Sequence, residues 1–144
     1  YCKSRQEGFG DEVKRRIMVG SYLLSGKNAK EYYDKALQIR SKMAKSFASC
    51  FEEFDIVIGP TTTTVAYPLG EGVDDPLQTF LDDVLVIPVN MAGLPGMNVP
   101  IGLSSSNMPV GMHLIGNYFE EQKMYQLASF LEQKLHFGQK EVQE

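Results

Sequence analysis

Met97-Asn98-Val99-Pro100-Ile101-Gly102-Leu103, then Ser104-Ser105-Ser106-Asn107, then Met108-Pro109-Val110-Gly111-Met112-His113-Leu114-Ile115 reads as a hairpin. Strands are expected over 97–103 and 110–115, because β-branched and long apolar residues there flank a cluster of Ser and Asn that favours turns. Gly116-Asn117 closes the second strand. Upstream, Ile56-Val57-Ile58 is a short, continuous apolar run ended by Gly59-Pro60. Continuous apolarity predicts a strand covered on both faces, as in a parallel or mixed sheet.

The segments around these strands carry helical period. Val13, Ile17, Met18 and Leu24 recur at helical spacing from about Asp11, with Lys14, Arg15 and Arg16 on the wet face and Gly26 as a left-handed stop. Asn28-Ala29-Lys30-Glu31 has the form of a capping box, and an apolar stripe from Tyr33 to Phe54 predicts one long helix over about 29–54. Asp75-Pro76-Leu77-Gln78 forms another helix start, with a helical pattern to Asp83. Val84 to Ala92 contains Pro88 and reads equally as strand or buried helix, punctuated by Gly93 and Pro95. A last amphipathic helix is expected from Glu121 to Leu135, with Met124, Leu127, Ala128, Leu131 and Leu135 inward and Gly138 as its stop. The order is therefore ααβα(β/α)ββα. It predicts an α/β fold: a partial mixed sheet of three or four short strands with about four helices. Such a sheet needs cover and neighbours, so residues 1–144 are expected to be one portion of a single larger domain. The first residue is Tyr1 rather than Met, which fits a piece of a longer chain.

Composition narrows the function. The 144 residues are 43% hydrophobic and 22% charged, and 14 Lys/Arg against 18 Asp/Glu give a net charge of −4. A mildly acidic chain lacks the dense basic face a nucleic-acid clamp needs. No apolar run approaches the roughly 18 residues of a membrane span, and the first residues do not form a basic-then-apolar signal. Cys2 and Cys50 stand in unrelated contexts, so a disulfide framework is not expected and a reducing cytoplasm is the default. His113 and His136 make no metal-ligand spacing with them.

The nucleophile of a self-sufficient hydrolase is not found. Gly102-Leu103-Ser104-Ser105-Ser106 lacks the last glycine of a nucleophile elbow, no Ser is followed three residues later by Lys, and no phosphate-binding glycine loop occurs. Cys50, inside an apolar helix, reads as packing, and His113 in a strand reads as a core or rim residue. Two binding candidates remain. Arg5 precedes Gly8-Phe9-Gly10; a guanidinium beside such a bend can hold a carboxylate in two parallel hydrogen bonds, although composition alone favours an ordinary surface arginine. Asp74-Asp75 is the other: Asp75 is explained as a helix cap and Asp74 is not, although adjacent carboxylates also suit a solvated loop.

Arg5-Gln6-Glu7-Gly8-Phe9-Gly10-Asp11-Glu12-Val13-Lys14-Arg15-Arg16-Ile17-Met18 resembles a segment of the glutamine-hydrolysing subunits of tRNA-dependent amidotransferases. So do Asp55-Ile56-Val57-Ile58-Gly59-Pro60-Thr61 and Asp74-Asp75-Pro76-Leu77. Val89-Asn90-Met91-Ala92-Gly93-Leu94-Pro95-Gly96, Val99-Pro100-Ile101-Gly102 and Met108-Pro109-Val110-Gly111-Met112-His113-Leu114-Ile115-Gly116 complete that resemblance, and the Asn-Met-Ala-Gly-Leu-Pro and Pro-Val-Gly blocks within them are similar to amidase-signature enzymes more broadly. Pro60-Thr61-Thr62-Thr63 in place of Pro-Thr-x-Pro, and Asn90-Met91 in place of Asn-Leu, are mild departures.

The resemblance implies the carboxy-terminal part of the amidase-signature fold. The whole subunit would hydrolyse glutamine through a Ser–Ser–Lys triad that lies outside these residues. The ammonia would pass to a B subunit that uses ATP and Mg²⁺ to amidate misacylated Glu-tRNA(Gln), with a small C subunit tying the two together. No cofactor and no catalytic residue is implied for this chain. Carried over residue by residue, Arg5 would hold the glutamine α-carboxylate and Asp74 or Asp75 the α-amino group, with Asp83 a weaker alternative. A stand-alone amidase acting on a small amide, or a folding or interaction module, are the competing readings. Arg5 discriminates, since an uncharged amide gives a carboxylate clamp nothing to hold.

Overall fold

The computed structural model describes residues 2–26, 29–69 and 81–136. The chain divides into two units, Tyr1–Ser41 and Lys42–Glu144.

The first unit is helical. A short helix α1 (Cys2–Gly8) precedes α2 (Asp11–Leu23), and Gly8-Phe9-Gly10 is the bend between them. Asp11 and Glu12 sit in the first turn of α2, where acidic side chains complement the helix dipole. Glu12 also accepts from Arg15 and, at 2.8 Å, from Arg16, which holds its carboxyl below the usual carboxylate range. Gly26 takes a left-handed φ of 52°, the stop its sequence predicts. The single long helix expected from 29 to 54 is divided. Ala29–Tyr33 is a π-helical turn, α3 spans Asp34–Cys50, and Phe51–Glu53 form turns. Tyr32 and Tyr33 are bulky neighbours at the π turn, where the hydrogen-bond ladder widens by one residue.

In the second unit the hairpin is present. β2 (Gly96–Leu103) and β3 (Pro109–Gly116) pair antiparallel, with a register shift between Pro100 and Gly102 that leaves Ile101 as a bulge. The turn closes through Ser104 N–H to Met108 O at 2.8 Å and Asn107 N–H to Ser104 O at 3.0 Å. Asn107 adopts a left-handed φ of 62°, which Asn tolerates better than most residues. β1 (Ile56–Pro60) pairs with the other edge of β3, giving the order β1-β3-β2.

The α/β class and the three short strands are as expected, but every pairing among the described residues is antiparallel rather than mixed. The reason is that continuous apolarity reports cover on both faces, not strand direction. Here both faces of an antiparallel sheet carry helices. On one face Val57 and Ile115 pack with Ala44, Phe47 and Phe51 from the α3 region, and with Val89, Ala92 and Leu94. On the other, Ile56, Met97, Val99, Met112 and Leu114 pack against Met124, Leu127, Ala128 and Leu131, which belong to the last helix, Glu121–Leu135.

The ambiguous Val84–Ala92 stretch resolves as helix α4 (Ile87–Ala92), with Pro88 in its first turn, where a missing N–H costs nothing. Gly93, at φ 77°, ends it: Gly93 N–H and Leu94 N–H both reach Val89 O, at 3.0 and 3.2 Å. Leu94 then drops into the core, and Pro95 O accepts from Gly116 N–H at 3.1 Å. The Asn-Met-Ala-Gly-Leu-Pro block is thus a helix ending that ties α4 to β3. The last helix, α5 (Glu121–Leu135), ends at His136, left-handed at φ 50°. Leu135 is not inward as expected but part-exposed. The Gly138 stop lies outside the described residues.

Candidate cleft beside α4 and the hairpin

The hairpin register places Asn98 opposite His113, and β1 places Gly59 opposite the same histidine. These three residues form a row across the sheet on the face that α4 covers. Small residues make room for the two large side chains. A Cβ on Gly111 would stand 2.2 Å from Asn98 Oδ1, and a Cβ on Gly96 would stand 2.8 Å from His113 Nε2. Both are closer than real Cβ atoms come, so glycine at 96 and 111 is what lets Asn98 and His113 lie across the strands. Thr61, just past β1, donates from Oγ1 to Asn98 Oδ1 at 2.5 Å.

Above this row is a cleft of about 270 Å³, lined by Thr61, Val86, Val89, Asn90, Leu94, Gly96, Met97, Asn98 and His113. Its polar groups are one hydroxyl, two carboxamides and one imidazole. His113 is 7% exposed, and burial pushes its pKa below the ordinary histidine value. The ring is therefore neutral at pH 7. Linkage follows: a folded-state pKa depressed below that of the unfolded chain means that the unfolded chain binds the proton more readily. Stability is then fully present above about pH 6.5 and falls as pH drops below that value. The urea midpoint of the chain is expected to fall between about pH 7.5 and pH 5.5, and His113→Gln should flatten that slope. An equal slope in the variant would show that His113 is not its cause. Glu12 and Asp55 are held low by Arg16 and by Lys123 respectively, so they titrate at more acid pH and leave this window to histidine.

The residues marked by sequence are placed differently. Arg5 is exposed in the last turn of α1, its carbonyl accepting from Phe9 N–H at 3.2 Å. It belongs to the first unit and the cleft to the second. Asp74 and Asp75 lie outside the described residues. Asp83 is half-buried, and its carbonyl accepts from Val86 N–H at 3.0 Å. Neighbouring Asp82 receives the Tyr67 hydroxyl at 3.4 Å, beside a second depression along Thr62–Tyr67. Among the described residues no group of three His, Cys, Asp or Glu side chains could hold a metal ion, and no helix is long and apolar enough to cross a membrane. Thr61, Asn90 and Asn98 do not stand out in the sequence. The signal that would find Asn98 is the hairpin register, which sets it against His113.

The chain matches known proteins along most of its length. It is 51% identical over 133 residues to the A subunit of glutamyl-tRNA(Gln) amidotransferase from Exiguobacterium, covering 92% of this chain and 28% of that protein. It is 45% identical over 142 residues to the protein of the same name from Bacillus thuringiensis, covering 99% of this chain and 29% of the relative. The chain thus spans under a third of the length of these relatives. The crystal structure of the corresponding glutamyl-tRNA(Gln) amidotransferase protein from Thermotoga maritima superposes with a TM-score of 0.67 at 37% identity, over 88% of this chain and 28% of that one. A crystal structure of an amidase superposes with a TM-score of 0.70 at 26% identity, over 92% of this chain and 30% of that one. The amidase family pattern matches residues 1–124, and on that match the chain belongs to the amidase family.

Proposed function

We propose that this chain is the carboxy-terminal part of the ammonia-supplying subunit of a cytoplasmic, tRNA-dependent amidotransferase that converts Glu-tRNA(Gln) to Gln-tRNA(Gln). The supporting observation is identity of 45–52% across 92–99% of the chain with proteins of that name. In this reading the segment supplies wall and grip for glutamine, and the serine–lysine machinery lies on other polypeptide. Arg5 holds the α-carboxylate with a planar fork of donors, and Asp74 or Asp75 holds the α-ammonium. Fixing both ends of the amino-acid head positions the side-chain amide for attack. The B and C subunits are the partners, and ATP and Mg²⁺ act on B. A stand-alone amidohydrolase acting on a small amide is the second reading, favoured by the superposition on an amidase.

The test is glutamine hydrolysis by the full-length protein. Ammonia is expected from glutamine, and with the partner subunits and ATP it should appear on Glu-tRNA(Gln). Hydrolysis of simple amides with no activity on glutamine would favour the second reading.

A further inference from the structure

We propose that the cleft beside α4 takes up a small anion together with a proton, His113 becoming the cation that holds it. This uptake does not depend on the amidotransferase reading above.

His113 lines the cleft, is 7% exposed and makes no hydrogen bond or ion pair among the described residues. Its ring nitrogens are not sealed off, because every fully buried side-chain nitrogen or oxygen among those residues has a partner. Nor does a described charge face the ring. β1, β2 and α4 contribute no titratable side chain, and β3 contributes only His113 itself. From the α3 region Ala44, Phe47 and Phe51 pack on this face, whereas Lys42, Lys45, Glu52 and Glu53 are exposed. Asp82 and Asp83 precede α4 and do not line the cleft. Burial is accordingly the cause of the lowered His113 pKa.

Protonation thus creates a buried cation without a counter-ion, a costly state until an anion supplies one. Donors for that anion are in place. An imidazolium carries N–H on both nitrogens, and Asn98 keeps its Nδ2 hydrogens free because Thr61 occupies Oδ1. Asn90, Gly96 and Asn98 form an exposed rim, so a small ion enters from water. The coupling is reciprocal: the proton tightens the anion and the anion tightens the proton by the same factor.

The experiment is a titration of the 144-residue chain with formate, which stays ionised throughout, following the rings of His113 and His136 by NMR. His136 is exposed at the end of α5 and serves as the internal reference. Formate should shift His113 saturably and bind at least about tenfold more tightly at about pH 5.5 than at about pH 7.5. It should raise the pH at which His113 titrates and leave His136 where it is. Formate should also raise the urea midpoint at the lower pH and not at the higher. In His113→Gln the pH dependence of binding should vanish, and Asn98→Leu should weaken binding. Equal affinity at both pH values, no saturable shift at either, an equal displacement of both histidines, or pH-dependent binding that survives in His113→Gln would each overturn the proposal. The wild-type comparison needs no variant to fold. A full-length protein inactive on glutamine would remove the proposed function and leave this titration standing.

Discussion

Replacing Arg5 with Ala in the full-length protein should raise the KM for glutamine by roughly 30- to 1000-fold. That range corresponds to about 2–4 kcal/mol for a charge-assisted pair of hydrogen bonds whose partner is left unpaired. Steady-state kinetics on glutamine measures it. The effect should concentrate in KM, because the carboxylate does not react and is held alike in the ground and transition states. A substrate without the carboxylate, 4-aminobutanamide, should lose far less, since it has nothing for the guanidinium to grip. Arg5→Lys should fall between, keeping the charge but losing the planar fork. An unchanged KM in Arg5→Ala would remove Arg5 from the site. The local sequence explains why this residue stands where it does: Gly8-Phe9-Gly10 ends α1 one turn later and turns the chain into α2.

The largest stability effect is expected at Leu114, which is 0% exposed. It lies in β3, the middle strand of the sheet, on the face packed against α5, and shares its cluster with Val99, Met124 and Ala128. Leu114→Ala removes three carbons from a site closed by strand on one side and helix on the other. The wall cannot collapse far: Gly116 already has Met124 Sδ 2.6 Å from where a Cβ would stand. A cost of about 3–4 kcal/mol follows, a large share of the roughly 5–15 kcal/mol that holds a domain folded. Urea denaturation of the chain reads it as a lowered midpoint. Phe119→Asn is the contrast: Phe119 is 93% exposed and sits at a left-handed φ of 61°, which Asn adopts more readily. It should leave stability within about 0.5 kcal/mol or raise it. A Leu114→Ala midpoint equal to wild type would contradict the described packing between the sheet and α5.

How much of this is legible in the sequence differs from element to element. The hairpin and α5 are readable because their signals are local: a Ser/Asn turn between apolar runs, and a clean stripe of Met124, Leu127, Ala128 and Leu131. Strand direction is not readable, since Ile56-Val57-Ile58 looks the same in any sheet with helices on both faces. The long helix fails at Ala29–Tyr33 because an apolar stripe continues through a π turn without a break in composition. The α4 stretch stays open until the backbone decides it, because Pro88 suits a first helical turn as well as a strand edge. At the cleft, Asn98 and His113 are far apart along the chain and meet only through the register. The glycines that admit them, Gly96 and Gly111, carry no local signal that a side chain crosses over them. The role proposed for Arg5 comes from the family resemblance rather than from its local pattern, and the aspartates proposed beside it, Asp74 and Asp75, lie outside the described residues.

The central claim is a division of labour: this stretch grips the amino-acid ligand, and other polypeptide breaks the bond. The most direct measurement is ammonia release from glutamine by the 144-residue chain beside the full-length protein at equal concentration. The account predicts turnover from the full-length protein and none above background from the chain alone. Turnover by the isolated chain would contradict it.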